Sequence, residues 1–346
     1  MIKTTYFKTS HVKTLHNLPK TADGSGKFGR ILWRYLTQKV ADKIPSVSLP
    51  VQKPDLSGSH DILIKITHST VLMRLDGQFV LTDPVFSKRA SPLQFIGPKR
   101  FHNLPMSISE LPRLDVVVIS HDHYDHLDKA SIKALAAKTA MFVVPTGVDK
   151  HLRRFGVSAD KITVLAWWQQ AKLGSLTFHA TPAQHFSGRG LFDKNHTTWA
   201  SFVMESSRRR IFFSGDSGYF RGFAEIGQRF GGFDLSLIET GAYDEMWADI
   251  HMQPEQSLRA HLDLKARYML PIHNSSFDLA MHAWYEPLQR LANAAETYEV
   301  PLITPQFGAV LDLGNLAQGE QDHGYWWQNL MSLDALKNTE TVSLAV

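Results

Sequence analysis

The spacing of hydrophobic and polar positions changes near residue 60. Before that point, apolar residues recur at helical spacing with basic residues between them, which predicts one amphipathic basic helix. The apolar positions of this helix are Phe28, Ile31, Leu32, Tyr35, Leu36 and Val40. After residue 60, short β-rich runs begin, and Asp76-Gly77 separates two of them as the turn of a β-hairpin does. We therefore distinguish an N-terminal arm, residues 1–60, from a body that starts at residue 61.

Strand-like and helix-like segments alternate along the body. The pattern predicts strands at 62–67, 71–75, 78–82, 115–120, 141–144, 162–165, 175–180, 199–205, 210–214, 234–239, 267–272, 302–304 and 307–312. It predicts helices near 128–138, 147–155, 222–229, 254–263 and 277–295. Strands interleaved with helices over two halves predict an α/β fold, a four-layer αββα sandwich of two helix-covered sheets. The body ends at residue 313 in this interpretation, and the polar residues 314–346 form a C-terminal surface tail.

Composition places the chain among globular proteins and narrows its chemistry. Of its 346 residues, 43% are hydrophobic and 20% are charged, which excludes a disordered or low-complexity chain. Cysteine is absent, which excludes a disulfide scaffold, a thiolate zinc site and a cysteine nucleophile. Because we find neither a run of about 18 apolar residues nor the apolar stretch of a secretory signal, we expect a cytoplasmic protein.

The positive charge is concentrated in the arm. The whole chain has a net charge of +4, but residues 1–60 hold ten Lys and Arg against three Asp, so the arm carries +7 and the remainder about −3. This distribution and the lack of a nucleic-acid-binding motif predict no nucleic-acid partner. The basic helix has two interpretations. We favour packing of its apolar stripe on the body, and the alternative is peripheral contact with the inner membrane surface.

The segment that carries chemistry is Ser120-His121-Asp122-His123-Tyr124-Asp125-His126. It follows the apolar strand 115–120, and ligand sites are commonly built where such a strand opens into a loop. Imidazole and carboxylate groups are ligands suited to zinc or a similar divalent ion. His121 and His123 are two residues apart and can point the same way in extended backbone, whereas Asp125 and His126 turn toward a second position. The segment can thus supply parts of two metal sites.

Further ligand-type residues follow later strands. His185 comes after the strand near 175–180, Asp216 after 210–214 and His273 after 267–272. Gly215 allows a sharp turn before Asp216. Because each residue stands at the C-terminal edge of a predicted strand, we expect the sheets to gather all three near the His121–His126 segment.

These residues resemble the metallo-β-lactamase superfamily and, within it, the N-acylphosphatidylethanolamine-hydrolysing phospholipases D. The resemblance runs from about residue 60 to residue 313 and includes loops as well as metal motifs. Its segments are 82–86 (TDPVF), 89–92 (RASP), 97–101 (GPKRF), 108–112 (ISELP), 121–128 (HDHYDHLD), 182–185 (PAQH), 215–219 (GDSGY), 241–243 (GAY) and 272–273 (IH).

The resemblance implies a binuclear site, with two Zn²⁺ as the expected cofactors and Mn²⁺ as another option. One ion would be held by His121, His123 and His185, and the other by Asp125, His126 and His273, with Asp216 bridging both. The resemblance also implies an active-site role for His251, which in the alternative interpretation only precedes the helix that Pro254 starts. His68 and Asp83 would orient the ligands from behind.

The implied activity is hydrolysis of a phosphodiester, of the phospholipase D type, on N-acylphosphatidylethanolamine or a related glycerophospholipid. Two metal ions roughly 3.5–4 Å apart can bridge one water and lower its pKa to near 7, and the resulting hydroxide attacks phosphorus in line. Asp216 would fix the metal spacing, Asp125 could steer the nucleophile's proton, and His251 could contact the phosphate or protonate the leaving alkoxide. These three are the predicted catalytic residues.

Two alternatives and one departure remain. The same chemistry can open a sugar-phosphate lactone or a similar small carbonyl substrate, which makes a lactonase the second hypothesis. A homodimer is left open. Glu239-Thr240 stand where the phospholipases are expected to have an apolar pair, which puts recognition of an acyl chain in doubt.

Overall fold

The structure, a computed structural model, describes residues 33, 37, 39–190, 192–318 and 324–331. Its strands are β1 Ile62–Thr67, β2 Thr70–Leu75, β3 Gln78–Thr82, β4 Leu114–Val118, β5 Thr139–Pro145, β6 Ile162–Leu165, β7 Gln170–Leu173, β8 Leu176–Thr181, β9 Ser201–Glu205, β10 Arg210–Phe213, β11 Phe233–Glu239, β12 Ala266–Ile272 and β13 Val310–Asp312. Its helices are α1 Lys129–Leu135, α2 Val148–Arg154, α3 Gly222–Phe230, α4 Pro254–Asp263 and α5 Glu286–Thr297.

These strands form two mixed sheets that pack face to face. The first has the order β13-β1-β2-β3-β4-β5-β6 and the second the order β12-β11-β10-β9-β8-β7. The inner faces share one apolar core, in which Val118 and Val143 of the first sheet lie with Phe202 and Leu237 of the second. The first sheet packs its outer face against α1 and α2, and the second against α3, α4 and α5. The predicted four-layer αββα sandwich is confirmed.

Most predicted elements agree with the structure to within a few residues, and the errors have physical causes. The helix predicted at 277–295 begins only at Glu286, because Pro287 fits the first turn of a helix, whereas 277–285 form a loop beside His273. Strand β7 was not predicted, since its four residues give too short an alternation. Where a strand was predicted at 302–304, the structure has a single bridge between Leu302 and Met269. Of the strand predicted at 307–312, only the last three residues form a strand, β13.

The chain outside the sandwich contributes to the core. Leu49 is buried among the residues that lie between the second sheet and its helices. Residues 326–331 are helical, and Trp327 is completely buried in the same cluster, so the prediction of a surface tail is wrong for this stretch.

Most of the predicted basic helix lies outside the described residues. Both proposed domain boundaries stay predictions. Among the described residues, no helix combines the length and the apolar character needed to cross a bilayer.

Candidate metal centre

The His121–His126 segment forms a tight loop at the end of β4. Backbone hydrogen bonds from the N–H groups of His126 and Leu127 to the carbonyl of His123 close one turn, 3.1 and 2.8 Å long. Asp128 then caps α1, because its carboxylate accepts a hydrogen bond from the N–H of Ala130. This order of strand, turn and capped helix fixes the course of the backbone. The backbone positions from which the imidazoles project are therefore fixed as well.

One cluster of ligand atoms joins this loop to two later strands. Nδ1 of His123 lies 2.9 Å from Nε2 of His121 and 3.2 Å from Nε2 of His185. Oδ2 of Asp216 lies 3.8 Å from Nε2 of both His121 and His185. All four ligand atoms fall within 4.8 Å of one another, which is the spacing of donors around one metal ion.

A second cluster shares Asp216 with the first. Nε2 of His273 lies 3.1 Å from Asp216 Oδ2 and 3.2 Å from Asp125 Oδ2. Nε2 of His126 lies 3.1 Å from the other oxygen of Asp216 and 3.5 Å from Asp125 Oδ2. Nε2 of His68 also lies 3.2 Å from Asp125 Oδ2, closer to the ligand atoms than the sequence analysis had expected. The structure thus brings together the ligand atoms of all seven predicted metal ligands, in two groups joined by one carboxylate.

Residues behind these groups hold the imidazoles in place. The buried carboxylate of Asp83 accepts hydrogen bonds from the N–H and the hydroxyl of Ser120, 2.7 and 2.5 Å long, and its Oδ2 lies 2.6 Å from Nδ1 of His126. Nδ1 of His185 lies 2.9 Å from the carbonyl of Ile250, to which it donates. Partners of this kind orient a metal-binding imidazole and leave its other nitrogen for the metal. Asp83 therefore lies directly behind His126, and its orienting role stays a prediction.

The backbone is strained around the two clusters. Gly215 has a φ of +55°, and a Cβ there would lie 2.5 Å from the Cβ of Ser120, so glycine is required before Asp216. His68, Asp83 and His273 also have positive φ values, of 33°, 32° and 63°. Non-glycine residues rarely adopt this conformation, and those that do are concentrated at functional sites.

Unpaired buried atoms support the fit of these residues to a metal centre. Nε2 of His126 and Oδ1 of Asp216 are buried and lack a hydrogen-bond partner, although they lie only 3.1 Å apart. Burying such atoms without a partner is costly, and metal coordination would satisfy both. The donor set of imidazoles and carboxylates suits Zn²⁺ or Mn²⁺. His123 and Asp125 stay partly exposed, which leaves the clusters open to solvent.

The histidines of the two clusters differ in protonation. Burial holds the pKa of His121 and of His185 well below its usual value, so both are neutral, the form that binds a metal. Burial would also lower the pKa of His273, but the carboxylates of Asp216 and Asp125 outweigh it and raise that pKa to about 10. Asp216 likewise raises the pKa of His126 well above its usual value, against the effect of burial. In the metal-free chain, His126 and His273 therefore carry protons that balance the carboxylates.

Binding of metal to the second cluster should release these protons. His126 and His273 must lose them to coordinate a cation, so the affinity of the chain for Zn²⁺ should rise with pH through the neutral range. Isothermal titration of the metal-free chain in buffers of different ionisation enthalpy should show release of about two protons per chain. A binding enthalpy that is the same in every buffer would contradict this prediction.

His251 and Glu239 form a buried pair beside the clusters. Nδ1 of His251 is hydrogen-bonded to Oε1 of Glu239, whose other oxygen accepts a 2.6 Å hydrogen bond from the N–H of Ser217. Burial lowers the pKa of His251 to about 4 and raises the pKa of Glu239 well above its usual value, so burial favours the neutral form of both groups. In that form the carboxyl of Glu239 donates to Nδ1, and the proton of His251 is on Nε2. The rings of His185 and His273 lie 5.1 and 5.3 Å away.

Glu239 is the residue that the sequence analysis missed. It was noted only as a departure from an apolar pair, with no role. The available signal was its position, because it ends β11 at the same edge of the sheet where Asp216 and His273 follow their strands. A completely buried carboxylate requires a partner, and here that partner is His251.

Comparisons with known proteins show to which family the chain is similar. Residues 78–274 match the profile of the Beta-lactamase superfamily domain. An uncharacterized protein of Mycobacterium tuberculosis is 41% identical over 305 residues, 86% of this chain and 80% of the relative. The N-acyl-phosphatidylethanolamine-hydrolyzing phospholipase D 1 of Caenorhabditis elegans is 36% identical over 245 residues, 67% of this chain and 69% of the relative.

A solved structure supports the fold. Igni18, a metallo hydrolase from the archaeon Ignicoccus hospitalis, superposes with a TM-score of 0.55 at 21% sequence identity, covering 72% of this chain and 97% of that one. At this identity the likeness concerns the fold alone. Since the profile match spans more than half of the chain and the fold agrees, the chain belongs to the metallo-β-lactamase superfamily of metal-dependent hydrolases.

Proposed function

We propose that this chain is a binuclear zinc phosphodiesterase of the phospholipase D type, which acts on N-acylphosphatidylethanolamine or a related glycerophospholipid. The observation that carries the proposal is the pair of ligand clusters joined by Asp216, with His251 beside them. The nematode relative, a phospholipase D by name, supports the choice of substrate class.

The seven ligands divide the work between two ions in this proposal. His121, His123 and His185 would hold one ion and Asp125, His126 and His273 the other, with Asp216 shared. Bound metal ions would supply a water of lowered pKa and neutralise the charge that grows on the phosphate. Asp125, whose Oδ2 lies 3.2 Å from Nε2 of His68, would fix the orientation of the water's proton.

His251 would serve the leaving group. With Nδ1 engaged by Glu239, its Nε2–H is the group free to donate toward the substrate. Because a neutral imidazole is a weak acid, His251 would stabilise the charge on the leaving oxygen by this hydrogen bond, and the alkoxide would take its proton from water. Cleavage of the P–O bond to the N-acylethanolamine group would then yield an N-acylethanolamine and a phosphatidic acid.

Glu239 can be tested by a matched pair of variants. Glu239→Gln keeps a donor for His251 Nδ1 and an acceptor for the Ser217 N–H, so we expect turnover close to that of the unmodified chain. Glu239→Leu has a similar volume but no hydrogen bond, and we expect kcat to fall about 10–100-fold with unchanged metal content. Glu205→Gln is the control, because Glu205 forms a second Glu–His pair, with His179, away from the clusters. Equal activity of the Leu and Gln variants would show that Glu239 does not position His251.

The proposed function itself is tested by metal analysis and substrate choice. The purified chain should contain about two Zn²⁺ per molecule, as a binuclear site requires. It should release N-acylethanolamine from labelled N-acylphosphatidylethanolamine and lose this activity on chelation. A panel of sugar-phosphate lactones is assayed in parallel. Turnover of a lactone without turnover of any phosphodiester would replace the proposal by the lactonase alternative.

A further inference from the structure

The loop that follows Asp83 exposes large apolar side chains at its tip. Leu93, Phe95 and Ile96 are 48%, 78% and 60% exposed, although they lie within four consecutive positions. Single exposed apolar residues are ordinary, but a contiguous group of them marks a surface that binds something. We name residues 88–99 the apolar loop.

Hydrogen bonds within the apolar loop fix its conformation and leave its tip exposed to solvent. The N–H of Ala90 donates to the carbonyl of Pro98 over 3.0 Å, and the N–H of Arg100 donates to the carbonyl of Lys88 over 2.8 Å, which closes the base of the loop. Inside it, the side chain of Gln94 accepts from the N–H of Arg89 and donates to the carbonyl of Arg89, each over 3.1 Å. The loop therefore has a defined conformation, and the apolar side chains at its tip are exposed to solvent.

The surroundings of this tip are basic. Lys88 and Lys99 are exposed at the base of the loop, Arg89 lies between them, and no Asp or Glu occurs in the sequence between Asp83 and Glu110. Apolar side chains that enter the acyl region, flanked by cations at the level of the headgroups, are what an anionic bilayer surface binds.

The apolar loop begins and ends beside the metal centre. The N–H of Ser87 donates to Asp128, which caps the helix after the His121–His126 segment, over 3.0 Å. The N–H of Phe101 donates to the carbonyl of Ser276, three residues after His273, over 2.8 Å. Any surface that binds the apolar loop would therefore lie near the edge of the two sheets where the two clusters of ligand atoms are.

We propose that the apolar loop docks the protein on an anionic phospholipid bilayer, with Leu93, Phe95 and Ile96 inserted and Lys88, Arg89 and Lys99 at the headgroups. Docking would assist catalysis only if the proposed function is correct, because a bilayer would then present the phospholipid substrate to the metal centre. A second copy of the chain is a poorer occupant, because a two-fold contact would bring the cations of the two loops together.

Cosedimentation of the metal-loaded full chain with lipid vesicles tests the proposal. The chain should bind vesicles of phosphatidylcholine with phosphatidylglycerol, and about tenfold more weakly vesicles of phosphatidylcholine alone. The double variants Lys88→Glu/Lys99→Glu and Phe95→Ser/Ile96→Ser should each reduce binding to the anionic vesicles about tenfold or more. Matched controls elsewhere, Lys150→Glu/Lys172→Glu and Leu262→Ser/Tyr298→Ser, should bind as the unmodified chain does.

A water-soluble phosphodiester separates this proposal from the proposed function. The variants in the apolar loop should hydrolyse it at the unmodified rate, which also shows that they fold, while their turnover of vesicle-embedded phospholipid falls in step with binding. The docking proposal is overturned if the unmodified chain stays in the supernatant, if both loop variants bind normally, or if the controls lose binding equally. Dimers that dissociate in the Phe95→Ser/Ile96→Ser variant, with no vesicle binding, would assign the loop to a contact between copies instead. Lack of activity on any phosphodiester, with vesicle binding intact, would remove the proposed function and keep the docking surface.

Discussion

An Asp216→Asn variant should lose both its metal and its activity, with kcat/KM lower by about 10³-fold or more. Asp216 is the carboxylate common to the two clusters, 3.8 Å from Nε2 of His121 and 3.1 Å from Nε2 of His273. A neutral amide offers one weak oxygen donor where a carboxylate offers two charged ones, so it cannot serve both clusters. Metal content by plasma emission spectroscopy and turnover of a soluble phosphodiester are the measurements.

The control for this variant is a carboxylate with a purely structural hydrogen bond. Asp234 accepts a 2.9 Å hydrogen bond from the N–H of Arg210, at the start of β11 and away from the clusters. Asp234→Asn should retain metal and activity. Full turnover by Asp216→Asn would remove Asp216 from the site and, with it, the idea of one centre with two ions.

Replacing His251 by alanine should separate catalysis from metal binding. We expect kcat to fall about 10²–10³-fold while the chain keeps its metal, because the imidazole is proposed to donate a hydrogen bond to the leaving oxygen and not to coordinate. The ring is held by Glu239 through Nδ1, so one nitrogen alone faces the centre. Loss should be smaller for a substrate with a good leaving group, such as a nitrophenyl phosphodiester, whose leaving oxygen needs little stabilisation of its charge.

His179→Ala is the matched control for this variant. His179 is also paired with a glutamate, at 2.8 Å from Oε2 of Glu205, but lies beside Phe230 outside the centre. It should turn over substrate normally. If His251→Ala instead loses metal as Asp216→Asn does, His251 is a ligand, a role for which its closeness to Asp216 and His273 leaves room. Equal losses for substrates with good and poor leaving groups would also contradict a hydrogen bond from His251 to the leaving oxygen.

Local patterns in the sequence predicted most of the fold. Strand β4 was predicted because a continuous apolar run is typical of a strand buried on both sides, and β1 was predicted because its residues favour β-structure. The pattern failed at 277–285, where apolar residues belong to a loop that lines a cleft beside His273. Helical spacing of apolar residues reflects burial on one side, and a loop packed against the body can have the same spacing.

The ligand candidates were predicted for a related reason. His185, Asp216 and His273 each follow a strand, and strands of one sheet bring their ends to a common edge, so a one-dimensional pattern contains some information about proximity. Their closeness agrees with that expectation, and their role as ligands stays a proposal. Glu239 also follows this rule, but a carboxylate in place of an expected apolar residue carried no indication of its partner.

By itself, the sequence determined the two-sheet architecture, the segment His121–His126 and the strand ends that bring further ligand-type residues, because each depends on spacing within one short stretch. Only the tertiary structure decided that Glu239 holds His251, that His68 reaches Asp125, and that Leu93, Phe95 and Ile96 stay in water. Those facts depend on contacts, or on missing contacts, between residues far apart in the chain. The periodicity of a sequence reports which side of an element is buried, and not which distant side chain it meets there.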